Sequence, residues 1–228
     1  MDLLTMAIDE HGGMRRWEEI SRFRAAASIT GDVWKHYGLD GMLDDVVVEG
    51  EARDQRLTIT PFPVPGRYAT WEPHRQMIKT GDGVPVEMSG KMEKWNPLRV
   101  VHLAAQAVWN QLTAPFLLAR ADFVTREIGP WREDGQEWRR LAVTYPRSIS
   151  VHTRRQTWYF DNSGFLCRID HRIDLLGGAP LVQYPLDYCE FDRILVPMRH
   201  RVYARTTQES ADLSTTMLAL DFTDVIFS

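Results

Sequence analysis

Cysteine is scarce in this sequence, which has only Cys167 and Cys189 among 228 residues. Two cysteines are too few for a disulfide framework, and they lack the paired spacing of a zinc site. Free cysteine is among the residue types most often found in protein cores. We therefore expect two buried, reduced thiols and no metal site that depends on cysteine.

The chain also lacks a strong excess of charge of either sign. It has 27 basic and 31 acidic residues, a formal net charge of −4, and both signs mixed along its length. Proteins that bind the phosphate backbone of nucleic acids usually present a basic face. The composition therefore argues against nucleic acid as a partner.

No apolar run is long enough to span a membrane, which takes about 18 or more consecutive apolar residues. The nearest candidate, 100–118, is interrupted by polar residues and a proline, namely His102, Gln106, Asn110, Gln111, Thr113 and Pro115. The first residues, MDLLTMAIDEHGG, carry acids where an export signal has basic residues. These features predict no transmembrane segment and a cytoplasmic location.

Short motifs for cofactors and catalysis are missing as well. The sequence has no phosphate loop, dinucleotide fingerprint, nucleophile elbow, HExxH or EF-hand loop, and its glycine pairs stand in other contexts. Its seven histidines are scattered, with no pair at helical or metal-hairpin spacing. We expect neither a nucleotide cofactor nor a bound metal.

Alternating apolar and polar residues dominate the chain instead. Phe23, Ala25, Ala27 and Ile29 can line one side of a first strand. Further candidate strands, separated by glycine, proline and asparagine turns, lie at 45–54, 56–61, 68–72, 76–80, 84–88, 122–130, 137–145, 154–161, 165–175, 181–191, 196–206 and 217–227. This pattern predicts an antiparallel meander.

Helical spacing is confined to two regions. The first twenty residues predict a helix interrupted at Gly12-Gly13, with His11 as a capping residue, and Asn96-Pro97 opens a helix over 98–112 that breaks at Pro115. A sheet of so many strands must curl around something. We therefore predict one domain over 1–228, mainly β (α+β): a large curved antiparallel sheet forming a half-barrel, plugged by the central helix, with a short N-terminal helix.

This order of elements resembles the half-barrel of the LolA/LolB lipoprotein carriers. Pieces such as His11-Gly12-Gly13, 156–161 (QTWYFD) and 187–192 (DYCEFD) are similar to those of an uncharacterised bacterial protein family with that fold. The resemblance implies a hollow between sheet and helix and no particular activity. Because the sequence begins without an export signal, we do not expect lipoprotein trafficking.

The hollow is the expected site. A hairpin about 162–164 would place His152 near Asp174 and Tyr159 near Cys167. Polar residues alternate within the later strands, and one interpretation is that they form the solvated outer face of the sheet. The other is that some point into the hollow, to hold a polar group or to act as acid and base. The candidates are His152, Asp187 and Tyr188 for catalysis, and Trp109, Trp158, Arg201 and Tyr203 for ligand binding.

Two functions follow from these candidates, and the sequence does not decide between them. The first is a binding protein for a hydrophobic or amphipathic small molecule, with Trp109 forming a wall of the pocket. The second is a cofactor-independent enzyme that acts on an apolar metabolite through His/Asp/Tyr acid-base chemistry. A third, structural role would be favoured if the helix filled the hollow completely.

Overall fold

The computed structural model describes residues 2–87 and 96–228 and shows a mainly β protein. Within these ranges, thirteen strands form one antiparallel sheet. They are β1 (Arg22–Thr30), β2 (Val46–Glu51), β3 (Leu57–Thr60), β4 (Arg67–Glu72), β5 (Arg75–Thr80), β6 (Val124–Glu133), β7 (Gln136–Thr144), β8 (Arg155–Phe160), β9 (Leu166–Arg172), β10 (Pro180–Phe191), β11 (Ile194–Arg205), β12 (Ala211–Asp212) and β13 (Leu218–Phe227).

The helices lie at the start and in the middle of the chain. They are α1 (Leu3–Glu10), α2 (Met14–Glu19), α3 (Asp32–His36) and α4 (Pro97–Thr113), with 3-10 turns at Phe116–Ala119 and Asp174–Leu176. The 3-10 turn at Phe116–Ala119 continues the chain beyond the helix break at Pro115. In the described ranges, none of these helices has both the length and the apolar character needed to cross a membrane.

Two meanders join into a single curved sheet that does not close. The strand order is β5-β4-β3-β2-β1-β13-β11-β10-β9-β8-β7-β6, with β12 added beside β11. The first and last strands meet at the centre, where Phe23 pairs with Phe227. The curved antiparallel half-barrel that the sequence predicts is confirmed.

Alternation along β1 fixes which side faces the core. Phe23, Ala25, Ala27 and Ile29 are buried, and their neighbours are more exposed. Successive side chains in a strand point to opposite faces, so the period of two in the sequence becomes an inner and an outer surface. The same rule assigns the faces of the later strands that form the candidate site.

Helix α4 lies in the concavity of the sheet, against β3, β4 and β5. It begins where the sequence predicts, because the Asn96 side chain accepts a hydrogen bond of 3.1 Å from the Arg99 backbone N–H and Pro97 occupies the first turn. Its apolar face is buried along the whole helix, through Val100, Val101, Leu103, Ala104, Ala105, Val108, Trp109 and Leu112. The helix therefore plugs the half-barrel.

The N-terminal helices are tied to the sheet by close backbone contacts. His11 is the C-cap residue of α1, as predicted, and its carbonyl oxygen accepts a hydrogen bond of 3.1 Å from the Leu195 N–H. Gly12 has φ +118°, and a Cβ there would lie 2.1 Å from the Arg193 carbonyl oxygen. Only glycine permits this approach of the end of α1 to the turn between β10 and β11.

Pairing between β8 and β9 differs from the predicted hairpin by one residue. Tyr159 lies opposite Arg168 rather than Cys167, and the register shifts at Tyr159/Phe160. His152 precedes β8 and does not pair with Asp174. An irregularity next to the turn moves every later partner, which residue numbers alone cannot reveal.

Three further details differ from the expectations. The short helix α3 was not anticipated, and the candidate strand 84–88 contributes only an isolated bridge between Lys79 and Pro85, while residue 88 lies outside the described residues. Both cysteines are free, but Cys167 is only partly buried and Cys189 is exposed. The prediction of two buried thiols is wrong for Cys189, because its position along β10 faces solvent.

Candidate functional site

A cavity remains between the inner face of the sheet and α4. The sheet contributes residues from four neighbouring strands and from β13, including Trp158, Ile169, His171, Gln183, His200, Val202 and Leu220. Helix α4 contributes Leu103, Ala104, Gln106, Ala107, Asn110 and Gln111. The helix therefore covers the hollow without filling it.

The cavity is narrow. Its volume is about 60 Å³, enough for a few waters or a slender apolar group. A bulkier ligand would require side chains or α4 to move outward.

The lining of this cavity carries no formal charge. Within residues 2–87 and 96–228, it includes no aspartate, glutamate, lysine or arginine side chain. Most of the wall is aliphatic or aromatic, with Trp34 of α3 and Trp158 of β8 among the larger surfaces. Such a wall favours apolar contact with a few placed polar groups, which is typical of small-molecule sites.

Three buried polar atoms of the lining residues have no hydrogen-bond partner in the described part of the chain. They are Nε2 of His171, Nε2 of His200 and Oδ1 of Asn110. Their residues are 8%, 1% and 7% exposed. Buried polar groups without partners are uncommon and costly, so these atoms call for an explanation.

A neighbouring side chain and a backbone carbonyl hold two of these groups in place. The Nδ1 atom of His200 lies 3.0 Å from the Gln183 side-chain nitrogen. The Asn110 side-chain nitrogen donates to the Gln106 carbonyl oxygen at 2.7 Å. Because one end of each side chain is already bonded, the unpartnered end has a fixed position.

The imidazoles of the cavity are neutral near neutral pH. Burial lowers the pKa of His200 to about 3 and that of His171 to about 4. Burial also lowers the pKa of His152 to about 3, with smaller contributions from His171 and His102. A neutral imidazole offers one donor and one acceptor nitrogen, so the cavity presents hydrogen-bonding groups without charge.

The opposite wall of the cavity is braced by amide side chains. Gln106 of α4 donates to the Ser150 hydroxyl, and the Ser150 N–H donates to Gln55 Oε1 at 2.6 Å. The Gln55 side chain in turn donates to the Ser150 carbonyl oxygen at 2.8 Å. These bonds hold the loop before β8 against the helix. The same loop carries Val151 and His152, which line the cavity.

Of the seven sequence candidates, His152 and Trp158 lie in the cavity wall. The His152 ring stacks on His171 with centroids 6.4 Å apart, and the Trp158 indole N–H donates to Gln156 at 2.9 Å. Trp109 does not line this cavity, contrary to the expectation. Its indole N–H donates to the carbonyl oxygens of Glu51 and Asp54 at 2.8 and 3.1 Å, which directs the ring away from the hollow.

Arg201 and Tyr203 lie on the outer face of β11, which corrects the expectation that they point inward. His200 and Val202 occupy the inner positions. Arg201 pairs with Asp221 at 2.6 Å across the outer surface. The solvated outer face is thus the correct interpretation for these two residues, which polarity alone does not decide.

Asp187 and Tyr188 also lie outside the cavity wall. Asp187 is exposed, has φ 54°, and pairs with Arg199. The Tyr188 hydroxyl donates to the Leu166 carbonyl oxygen at 2.6 Å, and its ring packs edge-on against His11. The structure therefore does not assemble His152, Asp187 and Tyr188 into one acid-base set.

The outer face of the sheet carries a buried ionic cluster that we call the Arg168 cluster. It consists of Arg168, Asp170, Glu133, Tyr159 and Trp131. Arg168 is 0% exposed and donates to Asp170 through Nε at 2.7 Å and Nη2 at 3.0 Å. It also pairs with Glu133, and its guanidinium lies 4.9 Å from the Tyr159 ring centroid and 5.2 Å from that of Trp131.

Groups from β10, β11 and the loop after β11 complete the Arg168 cluster. Arg205 donates to Asp170 at 2.8 Å, and the Glu209 carbonyl oxygen accepts from Arg168 at 2.6 Å. The Tyr184 hydroxyl donates to Glu133. Because Arg168 is fully engaged by protein groups, we interpret the cluster as structural.

Sequence reasoning missed the polar residues that the cavity does contain, chiefly His171, His200 and Asn110. Each lies within a predicted strand or helix, so no motif marks it. The alternation gives the missing signal. Ile169 and His171 on β9, and Ile173 just after it, alternate with charged residues, and the two isoleucines show which face is inward. Among the residues described, no group of three or more potential ligands could hold a metal ion.

Comparison with solved structures shows the LolA-like fold. A DUF1329 family protein from Desulfovibrio piger matches with TM-score 0.56 and 14% identity, covering 100% of this chain and 94% of that one. A LolA superfamily protein from Nitrosomonas europaea matches with TM-score 0.57 and 12% identity, covering 99% and 92%. A putative outer membrane lipoprotein-sorting protein domain from Vibrio parahaemolyticus gives TM-score 0.51 and 10% identity, covering 99% and 92%.

Sequence comparison adds no relative to these structural neighbours. No protein-family model matches the chain, and no curated protein matches it. At 10–14% identity the neighbours establish a shared architecture over nearly the whole chain, and their functions do not transfer with it.

Proposed function

We propose that this protein binds a hydrophobic or amphipathic small molecule in the cavity between the curved sheet and α4. The observation that carries the proposal is the uncharged, mainly apolar wall that contains unpartnered polar atoms of His171, His200 and Asn110. An apolar ligand with a polar group would gain contact along the wall and supply the missing partners.

The fold supports this function without specifying it. One neighbour is titled a putative outer membrane lipoprotein-sorting protein domain, and another a LolA superfamily protein. These proteins share the overall architecture of this chain over nearly its whole length. The cytoplasmic location stays a prediction from the sequence.

The enzyme alternative has less support. Its proposed groups are dispersed: His152 is at the cavity, Asp187 is paired with Arg199 on the surface, and the Tyr188 hydroxyl is bonded to a backbone carbonyl. General acid-base catalysis needs groups within hydrogen-bond reach of the reacting atoms. A purely structural role is disfavoured by the space that α4 leaves open.

Isothermal titration calorimetry with decanol, a single-chain probe, tests the proposal. We expect saturable binding with a negative heat-capacity change, which marks burial of apolar surface. The variant Ala107→Trp places an indole in the cavity from α4, and we expect it to weaken binding roughly tenfold or more. Ala107 is suited to this test because it is partly exposed and lines the cavity.

The matched control is Ala142→Trp, which adds the same side chain at a partly exposed position of β7 outside the cavity wall. It is expected to bind decanol as the wild type does. Equal weakening in both variants, or no binding of decanol, methyl nonyl ether or decanoate by the wild type, would count against the cavity as a binding site.

A further inference from the structure

Resting on the proposed function, we infer that the ligand's polar group is uncharged and both donates and accepts hydrogen bonds, as an alcohol does. The inference concerns the chemical class of the ligand and depends on His171, His200 and Asn110. Fatty acids, phosphorylated lipids and amines are the charged amphiphiles that it excludes.

The first step is the fixed polarity of Asn110. Its amide nitrogen is committed to the Gln106 carbonyl oxygen at 2.7 Å, which leaves Oδ1 as the unpartnered atom. An amide oxygen can only accept a hydrogen bond. A ligand that satisfies it must therefore donate, which a carboxylate or a phosphate diester cannot do.

The second step is the imidazole side of the cavity. His200 is bonded to Gln183 through Nδ1, so its free Nε2 is the atom available to a ligand. His171 likewise has a free Nε2. Where such a nitrogen carries the ring proton, it requires a hydrogen-bond acceptor. A hydroxyl oxygen can accept from this nitrogen, and the hydroxyl hydrogen can at the same time donate to another acceptor.

The third step is the lack of a compensating charge. No charged side chain of the described ranges lines the cavity, and burial keeps the imidazoles neutral. A carboxylate or ammonium that entered would lose its hydration and find no ion partner, which is far more costly than burying a hydroxyl. The charged neighbours of His171 and His200 in sequence, which include Asp170 and Arg201, point to the opposite face of the sheet, where Asp170 pairs with Arg168 and Arg201 with Asp221.

The test compares three probes of nearly equal length by calorimetry near neutral pH: decanol, methyl nonyl ether and decanoate. Decanol donates and accepts, the ether only accepts, and decanoate is charged. We expect decanol to bind roughly tenfold tighter than the ether, the equivalent of one hydrogen bond, and decanoate to bind most weakly.

The outcomes separate this inference from the proposed function. Equal or tighter binding of decanoate, or of the ether, would overturn the inference and leave the binding function standing. Failure of all three probes would defeat the proposed function itself. Each comparison uses the wild-type protein, so it does not depend on the folding of a variant.

A substitution then tests whether Asn110 is the residue that requires a hydrogen-bond donor from the ligand. Asn110→Leu removes the amide oxygen and keeps the number and branching of the side-chain heavy atoms, and we expect it to reduce the preference for decanol over the ether from roughly tenfold to about none. Asn162→Leu, the same substitution at an exposed turn position outside the cavity wall, is the control and should keep the preference. An unchanged preference in Asn110→Leu would show that water satisfies Oδ1, contrary to the inference.

Discussion

Replacing Arg168 with methionine is expected to lower the free energy of unfolding by about 3–5 kcal/mol, the range seen when one partner of a buried ion pair is removed. Arg168 is fully buried and bonds to Asp170, Glu133 and the Glu209 carbonyl oxygen. Methionine retains much of the stem but supplies no donor. The two carboxylates would keep their burial and lose their common partner.

The size of this effect follows from what remains after the substitution. Asp170 would retain Arg205 and the Tyr159 hydroxyl, both at 2.8 Å, so its carboxylate would be partly satisfied. Glu133 would retain the Tyr184 hydroxyl. The cluster joins β6, β8, β9, β10 and β11, so its loss should destabilise the half of the sheet that forms the cavity floor.

Urea denaturation of the wild type and of Arg168→Met measures the difference in their free energies of unfolding. Arg199→Met is the control, because Arg199 pairs with Asp187 at the surface and such pairs contribute at most about 1 kcal/mol. A loss in Arg168→Met no larger than that in the control would contradict the view that the Arg168 cluster stabilises the sheet.

Stability is expected to fall steeply as the pH drops from about 6.5 toward 4. Burial lowers the pKa of His11 and His171 to about 4 and that of His200 to about 3, from 6.5 in the unfolded chain. Between these values the unfolded chain binds protons that the folded protein does not. The stabilisation is therefore complete above pH 6.5 and is lost on acidification.

A pKa difference of one unit corresponds to about 1.36 kcal/mol. Near pH 5, one such histidine therefore lowers the free energy of unfolding by about 2 kcal/mol, and the three histidines together lower it by several kcal/mol. In urea denaturation at a series of pH values, His200→Gln is expected to reduce the slope of stability against pH by up to about 1.4 kcal/mol per unit. His36→Gln, at an exposed position, is the control. An unchanged slope in His200→Gln would mean that folding does not lower the pKa of His200, which would contradict this account.

Much of the fold could be predicted because its signals are local. The alternation of Phe23, Ala25, Ala27 and Ile29 specifies both a strand and its buried face. Asn96 and Pro97 specify the start of α4 through capping and a missing N–H. Such signals need no knowledge of distant partners, and they placed most of the strands and the central helix.

The composition of the site could not be predicted in the same way, because it depends on register. On β11 the side chains at 201 and 203 are the conspicuous ones, but the sheet turns His200 and Val202 inward. Trp109 lies on the predicted central helix, but its indole N–H donates to two backbone carbonyl groups in and just after β2. A one-residue difference in pairing exchanges the two faces, and only the assembled sheet decides it.

The alternation of side chains between the two faces of a strand also explains how one sheet combines two kinds of buried polar group. On β9, Arg168 and Asp170 face outward into a satisfied ionic cluster, while Ile169 and His171 face inward. Charge is thereby kept on the far side of the sheet from the cavity. The interior retains neutral hydrogen-bonding groups, which is the feature on which the proposed ligand class depends.

Native mass spectrometry of the protein purified from its own host tests the central claim most directly. We expect the wild type to retain a small molecule of one defined mass that denaturation releases, and that molecule to be apolar and uncharged. Ala107→Trp, purified in parallel, should lack it, and Ala142→Trp should keep it. A wild-type protein that carries no small molecule, or an identical bound mass in Ala107→Trp, would contradict the account.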